Sequence, residues 1–228
     1  MLCLLAVITG VISVSAGEMP PLFASIEKGD VDTIAELADS SSVNQMLEIG
    51  DDSITPLGFV ISRLDLDVEK AQSIIILLLK QGADPNVVYN NHVPGSATDW
   101  AMAVVMMSSG SDEKSDVYQS ILNSLKQYGG HVNADRLAAI QEKLLDFKRK
   151  ASLASCTADA RNWMAEQEAF HREHKTYPSR PNKLPGSLNL ISYRYGMHSF
   201  SATLSCKLVA DSNWVTYRSE SDMQPNFR

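Results

Sequence analysis

The stretch from Asn133 to Lys175 contains neither glycine nor proline, and it constrains the fold more than any other feature of the chain. Good helix formers dominate it, so we predict one helix of about 60 Å at 1.5 Å per residue. Asn133 or Asp135 can cap its start. Tyr177-Pro178 ends it, because proline disfavours helical backbone in the residue before it.

The apolar stripe of this helix rotates along its length. The first stripe comprises Ile140, Leu144, Phe147, Ala151 and Ala154, and the second comprises Cys156, Ala160, Trp163, Gln167 and Phe170. Residues at helical spacing share a face only while that spacing is kept. We therefore expect the first half of the helix to pack on the preceding residues and the second half on another element.

The charge of the chain changes sign at the start of the same helix. Residues 17–133 hold 6 basic and 17 acidic side chains, whereas residues 134–228 hold 14 basic and 10 acidic ones. The balances, −11 and +4, indicate two modules and sum to the net charge of −7. An acidic half repels phosphate backbones and the other half lacks a dense basic cluster, so no nucleic-acid binding is expected.

Residues 1–16 are almost wholly apolar and end in Val14-Ser15-Ala16, a small-residue pattern that suits signal peptidase. The segment is shorter than the about 20 residues of a membrane-spanning helix, so we expect no transmembrane anchor after cleavage. It lacks the usual positive residue before the apolar run, and a buried N-terminal helix is the alternative. The first interpretation predicts a periplasmic or secreted protein beginning at Gly17, and the second a cytoplasmic one.

Three segments of the N-terminal half repeat a pattern. The second segment opens with Thr55-Pro56-Leu57 and closes with Gly82-Ala83-Asp84-Pro85-Asn86; the first opens at Met19, and the third runs from Ser96 to Gly129 and Asn133. These residues resemble ankyrin repeats. The resemblance implies an array of about three repeats over residues 17–133, each a helix pair, which presents a surface to a protein partner.

Each motif residue has a physical reason. Thr55 can cap a helix, and Pro56 suits the first helical position, where an N–H is not needed. Gly82 and Gly129 lie where the second helix of a repeat must stop in a left-handed conformation. Asn86 and Asn133 can tie the following turn through side-chain hydrogen bonds.

The repeats also depart from the ankyrin pattern. Gly58 stands at the motif histidine of the second repeat and Asp99 at the motif proline of the third. The repeats are longer than usual because of extra loop residues, and such insertions often lie on the binding face. Asp65, Asp67 and Asp112 are therefore our candidate binding-loop residues, and their charge favours a partner with a basic surface.

Three predicted strands follow the long helix, over Leu190–Tyr195, His198–Leu208 and Asn213–Arg218. Alternation along the middle strand directs Cys206 to the core, and the second helical stripe directs Cys156 there. If residues 1–16 are removed, Cys3 leaves and these two cysteines remain as a pair, the even number expected in an oxidising compartment. A disulfide is favoured, and two buried thiols are the alternative.

The C-terminal segments resemble the soluble part of type IV pilins and pseudopilins over about residues 144–228. The helical segments concerned are Phe147-Lys148-Arg149-Lys150-Ala151, Asp159-Ala160-Arg161-Asn162, Glu166-Gln167-Glu168-Ala169-Phe170 and Lys175-Thr176-Tyr177-Pro178, and the strand segments are Phe200-Ser201-Ala202-Thr203 and Trp214-Val215-Thr216-Tyr217. The resemblance implies a long helix packed on a small antiparallel sheet. The prepilin peptidase site and the 20-residue apolar helix of that family are missing, so we do not expect assembly as a pilin.

We find no pattern typical of catalysis. His171 and His174 lie one turn apart with Glu168 before them, which is a conceivable set of metal ligands. Charged neighbours on every side favour a solvated helix end instead. No G-x-S-x-G, P-loop or zincin pattern occurs, so we expect neither enzymatic activity nor a cofactor.

The predicted fold is mainly α, an ankyrin-type array followed by a long helix packed on a small antiparallel sheet over residues 134–228. The predicted function is non-enzymatic protein–protein binding outside the cytoplasm, associated with a pilus or type II secretion apparatus. Two alternatives fit the same residues: a structural component that docks on pseudopilins, and a secreted effector or inhibitor.

Overall fold

The computed structural model describes residues 19–63, 68–108, 114–181, 183–196, 199–209 and 214–218. The chain divides into two compact units, unit 1 ending at Leu145 and unit 2 beginning at Asp146. The predicted signal segment 1–16, with Cys3, lies outside the described residues. So do the predicted binding-loop residues Asp65, Asp67 and Asp112.

Unit 1 consists of helix pairs separated by two-stranded β-hairpins. Its elements are α1 (Pro21–Lys28), α2 (Val31–Leu37), β1 (Leu47–Ile49), β2 (Asp52–Ile54), α3 (Pro56–Ser62), α4 (Val68–Lys80), β3 (Val88–Asn91), β4 (Val93–Ser96), α5 (Ala97–Ser108), α6 (Lys114–Gln127) and the first part of α7 (Ala134–His174). Strands β1 and β2 pair antiparallel, and so do β3 and β4. The hairpins were not predicted, because strands of three or four residues are too short to show an alternating pattern.

Three helices of unit 1 end in the same way. Gly29, Gly82 and Gly129 follow α1, α4 and α6, with φ of 67°, 92° and 86°. After each glycine the next amide donates back into the last helical turn, for example from Ala83 N to the Leu78 carbonyl at 3.0 Å. This closure needs a residue that adopts positive φ without strain, which is why glycine recurs.

The core of unit 1 extends through all of its helix pairs. Phe23 of α1 and Phe59 of α3 meet edge to face with ring centroids 5.5 Å apart. Fully buried aliphatic side chains continue the core through the later helices, namely Ile34, Leu57, Ile75, Leu78, Ile121, Leu122 and Leu125. Ile140 and Leu144 of α7 join the same cluster. This is the packing predicted for the start of the first helical stripe, but the stripe ends early, because Ala154 is exposed.

Unit 2 combines the rest of α7 with a three-stranded antiparallel sheet in the order β5–β6–β7. The strands are β5 (Leu188–Tyr195), β6 (Phe200–Cys206) and β7 (Trp214–Arg218), and the β5–β6 register shifts between Leu190 and Ser192. Its core comprises Cys156, Ala160, Trp163, Met164, Tyr177, Leu188, Phe200, Ala202, Leu204, Cys206 and Tyr217. Cys156, Ala160 and Trp163 of the second helical stripe therefore pack with the sheet as predicted, whereas Phe170 lies outside this core and stacks on His174.

The fold is helix-rich with small antiparallel sheets, which confirms the α+β part of the predicted class. The long helix begins one residue after Asn133 and ends at His174, close to the predicted limits. The predicted strands differ from β5, β6 and β7 by one or two residues at their ends. Within the described residues, no helix is long and apolar enough to cross a membrane.

Candidate interaction surface

The two hairpins of unit 1 lie side by side and are joined by hydrogen bonds. The His92 amide donates to Asp52 Oδ1 at 2.8 Å, and His92 Nδ1 lies 3.1 Å from Asp52 Oδ2. Asn90 Nδ2 donates to the Asp51 carbonyl at 3.1 Å, and the Asn90 backbone N–H donates to Ser53 Oγ at 3.3 Å. The β1–β2 and β3–β4 hairpins therefore form one polar row, which we call the hairpin surface (residues 48–53 and 88–93).

Two asparagines each bridge from the residues after one helix pair to the glycine turn that follows the next pair. Asn44 Nδ2 donates to the Gly82 carbonyl at 3.0 Å, and Asn44 Oδ1 accepts from the Asp84 amide at 2.8 Å. Asn86 makes the same pair of bonds one helix pair later, to the Gly129 carbonyl and the His131 amide, both at 3.0 Å. Each carboxamide thus pairs with one backbone carbonyl and one backbone N–H that a helix-ending turn leaves without an intrahelical partner.

The buried carboxylate of Asp99 joins the start of α5 to the residues at the start of α7. Asp99 has no exposed surface and accepts from the Asn133 amide and from Arg136 Nε, both at 2.7 Å. It also accepts from the amide and hydroxyl of Ser96, the residue before α5. Burial acts to raise the pKa of Asp99, but the hydrogen bonds from Asn133, Ser96 and Arg136 outweigh it and hold the pKa below its usual value.

The remaining motif residues occupy the positions that their chemistry requires. Thr55 Oγ1 accepts from the Gly58 amide at 3.1 Å, so Thr55 caps α3, and Pro56 is the first residue of that helix. Leu57 and Ala83 are buried. Two further bonds involve the asparagines and Asp84: Asp84 Oδ1 accepts from the Asn86 amide at 2.8 Å, and Asn133 Oδ1 accepts from the Arg136 amide at 3.0 Å, which caps α7.

Gly58, which stands at the motif histidine, leaves room for an aromatic ring of the next hairpin. A Cβ at position 58 would lie 2.4 Å from Tyr89 Cζ, closer than real Cβ contacts allow. Tyr89 of β3 is 3 % exposed. Burial and the nearby Asp99 both raise the pKa of this phenol above its usual value, so it stays neutral. Glycine at position 58, where the ankyrin resemblance implies histidine, thus allows α3 and β3 to approach closely.

The exposed side of the hairpin surface is acidic. Residues 44–55 include three carboxylates and no lysine or arginine. Glu48 and Asp51 are exposed, Asp52 is half-buried beside His92, and Val88 on the neighbouring hairpin is 44 % exposed. An acidic face with an exposed aliphatic side chain suits a partner whose contact surface is basic and partly apolar.

Unit 2 contains the predicted cysteine pair. Cys156 and Cys206 form a disulfide with a Cα–Cα distance of 5.7 Å, and both are buried. The bond joins α7 to the last residue of β6. In the same core the Trp163 ring meets Phe200, the first residue of β6, edge to face with centroids 6.3 Å apart.

The histidines of α7 stack on aromatic rings. His171 lies on Tyr177 with centroids 4.4 Å apart, and His174 lies on Phe170 with centroids 4.1 Å apart. Glu168 accepts from the Tyr177 hydroxyl at 3.0 Å. No group of three or more potential metal ligands occurs in the described part of the chain. Near the end of α7, the two histidines thus stack on aromatic rings and Glu168 accepts a hydrogen bond from Tyr177.

Three features of this surface were missed from the sequence. Asn44 has no surrounding ankyrin motif, and its separation of 38 residues from Gly82 differs from the 43 residues between Asn86 and Gly129, so no fixed spacing indicated its bridge. The Asp99–Arg136 pair joins residues 37 positions apart and left no sequence pattern. The Asp52–His92 contact joins the start of β2 to the turn between β3 and β4.

Comparisons of the chain with protein-family models, curated proteins and solved structures found no match. The resemblances to ankyrin repeats and to pilins therefore rest on the motif residues of this chain.

Proposed function

We propose that residues 19–133 form an ankyrin-type array that binds a protein partner through the hairpin surface. The observation that carries this proposal is the repeated carboxamide bridge of Asn44 and Asn86. Identical ties between successive repeats hold the hairpins in a fixed row, and a preorganised surface loses little conformational entropy on binding. The array thus has the preorganisation that a recognition surface needs.

The chemistry of the surface favours a basic partner. Glu48 and Asp51 are exposed on the first hairpin, and Val88 offers an apolar contact on the second. Complementary charge accelerates encounter more than it strengthens the complex, and salt screens it within about 10 Å at 0.1 M. The predicted loop residues Asp65, Asp67 and Asp112 add negative charge to the same half of the chain.

Export of the protein is part of the proposal. The Cys156–Cys206 disulfide supports an oxidising compartment, because thiols are kept reduced in most cytosols. The partner is then a protein of the periplasm or of the extracellular medium, and we place it at a pilus or a type II secretion apparatus on the strength of the pilin resemblance.

Site-specific photo-crosslinking in the native cell tests the surface. A photoreactive residue at Val88 should give a discrete adduct with one partner, whereas the same residue at exposed Glu36 on α2 should not. With that partner in hand, Glu48→Gln/Asp51→Asn should slow association about threefold at low salt and little at high salt. Equal adducts at both positions, or on-rates that ignore both charge and salt, would contradict the proposal.

A second candidate places the partner on unit 2. The packing of α7 on a three-stranded antiparallel sheet favours it, since this is the arrangement that the pilin resemblance implies. Tyr195 of β5 is 54 % exposed and offers a crosslinking position on that unit. An adduct with a pseudopilin from position 195, with none from position 88, would favour a structural docking component over an array that recognises its partner.

A further inference from the structure

A cleft of about 260 Å³ lies in unit 1 between the ends of α1 and α3 and the first turns of α4. Its apolar lining comes from Ile26, Val60, Ala71 and Ile74, all of which belong to the buried core. Among the described residues that line it, Lys28 and Arg63 contribute cations, Lys70 contributes a third that already interacts elsewhere, and Glu27 contributes a carboxylate. The cleft is therefore locally basic within a half of the chain whose balance is strongly acidic.

Arg63 makes this cleft unusual. Its Nε is buried, and no hydrogen-bond partner for that atom is found among the described residues. The guanidinium lies 5.9 Å from the centroid of the Phe59 ring and meets Glu27 only through a long contact, 3.7 Å from Nη2 to Oε1. A buried donor without an acceptor costs about 1–3 kcal/mol, and a planar guanidinium matches a carboxylate through two parallel N–H groups.

We propose that this cleft binds a carboxylate carried on a short aliphatic chain. The acid would accept from Arg63, with Lys28 adding positive charge, while the aliphatic part covers Ile26, Val60 and Ile74. The lining distinguishes this ligand from inorganic phosphate, which has no apolar part to place there. The inference is independent of the hairpin surface, because none of the cleft residues belongs to it.

Methyl NMR of the full chain tests the cleft, with hexanoate as the probe. We expect saturable shifts of the Ile26, Val60 and Ile74 methyl signals with a Kd of about 1 mM, or about −4 kcal/mol. Hexanamide, which has the same shape without the charge, and inorganic phosphate should each bind at least about tenfold more weakly. Comparable binding of either probe, or no shifts with hexanoate at about 10 mM, would overturn the proposal.

Two cleft variants with opposite expected effects on hexanoate affinity distinguish a loss of binding from a loss of folding. Arg63→Gln should weaken hexanoate binding about tenfold, because it removes a charge-assisted hydrogen bond. Glu27→Gln should strengthen binding about threefold, because it removes the competing carboxylate. Arg149→Gln changes an exposed arginine of α7 and should leave the Kd unchanged. An unchanged Kd in both cleft variants would refute the assignment.

Two further arms identify the source of the carboxylate. An N-acetylglutamate amide that binds as tightly as hexanoate indicates an acidic side chain of a protein, and a preference for hexanoate indicates a free aliphatic acid. Asp65 and Asp67 follow Arg63 in the sequence, so Asp65→Asn/Asp67→Asn is the remaining control. Hexanoate binding that occurs only in this variant would mean that the chain supplies its own acceptor, and the proposal would fall.

Discussion

The two units of this chain are stabilised in different ways. In unit 1, Asn44 and Asn86 join successive helix pairs through the same pair of hydrogen bonds, beside a long apolar core. Unit 2 has a shorter, aromatic-rich core and a covalent bond between α7 and β6. Repeats can spread their stability over many similar contacts, whereas a small core gains from a single crosslink.

Loss of the disulfide is expected to give the largest difference between the units. The bond closes a sequence separation of 50 residues, and the chain-entropy relation assigns about 4 kcal/mol to such a loop. Cys156→Ala/Cys206→Ala should therefore speed amide hydrogen exchange in β6 by orders of magnitude while leaving α4 unchanged. Equal acceleration in both elements would show that the units do not differ in this respect.

Removal of the buried charge should be the next largest effect, and it should be confined to unit 1. Asp99→Asn removes the buried charge to which Arg136, Ser96 and Asn133 donate, and the loss of charge-assisted hydrogen bonds costs about 3 kcal/mol. Chemical denaturation followed by Trp100 fluorescence, in a background with Trp163→Phe/Trp214→Phe, measures this loss, since Trp100 lies in unit 1 and is 3 % exposed. A loss below about 1 kcal/mol would mean that Asp99 is held no better than a surface carboxylate.

The same variant predicts a pH dependence with a definite sign. Because the folded protein lowers the pKa of Asp99, its contribution is complete above the ordinary carboxyl pKa of about 3.9. That contribution is lost as the pH falls through the lower pKa of the folded state. The stability difference between wild type and Asp99→Asn should thus narrow in acid, and a difference that widens below pH 4 would contradict the assignment.

Gly58→Ala separates packing from helix propensity. Alanine is favoured over glycine inside a helix by up to about 1 kcal/mol, but the added methyl would meet the Tyr89 ring at 2.4 Å. We expect a net loss of about 2 kcal/mol in unit 1 by thermal or chemical unfolding. Gly186→Ala in unit 2 meets nothing within 4 Å and serves as the control that should be near neutral.

The smallest effects concern the repeated bridges and test whether they are equivalent. Asn44→Ala and Asn86→Ala each remove two hydrogen bonds, so each should cost about 1–2 kcal/mol. Matched losses for the two variants would support the repeat interpretation of unit 1. A large loss at one position and none at the other would indicate that the similarity of the two bridges has no energetic counterpart.

The sequence predicted those features that depend on local spacing. The helix after Asn133 follows from a run without glycine or proline, and the Cys156–Cys206 pair follows from two apolar stripes that direct both side chains to one core. Strand alternation located β6 to within two residues. In each case the information lies within a few residues of the element concerned.

Features that depend on distant residues were not predicted. The Asn44 bridge reaches 38 residues along the chain and the Asp52–His92 contact reaches 40. Neither leaves a local pattern, because the partner is an amide, a carbonyl or a single polar side chain. The basic cleft was missed for the same reason, since Lys28, Arg63 and Lys70 become neighbours only after α1, α3 and α4 pack.

The asparagine bridges also determine which substitutions the chain can accept. Positions 44 and 86 each use the carboxamide as donor and acceptor at once, so spontaneous deamidation to aspartate would set a carboxylate oxygen against a glycine carbonyl. At position 133 the described contact uses only Oδ1 as an acceptor, which aspartate, serine or threonine can supply equally. Deamidation should therefore break the bridges of Asn44 and Asn86 but leave the helix cap at position 133 intact.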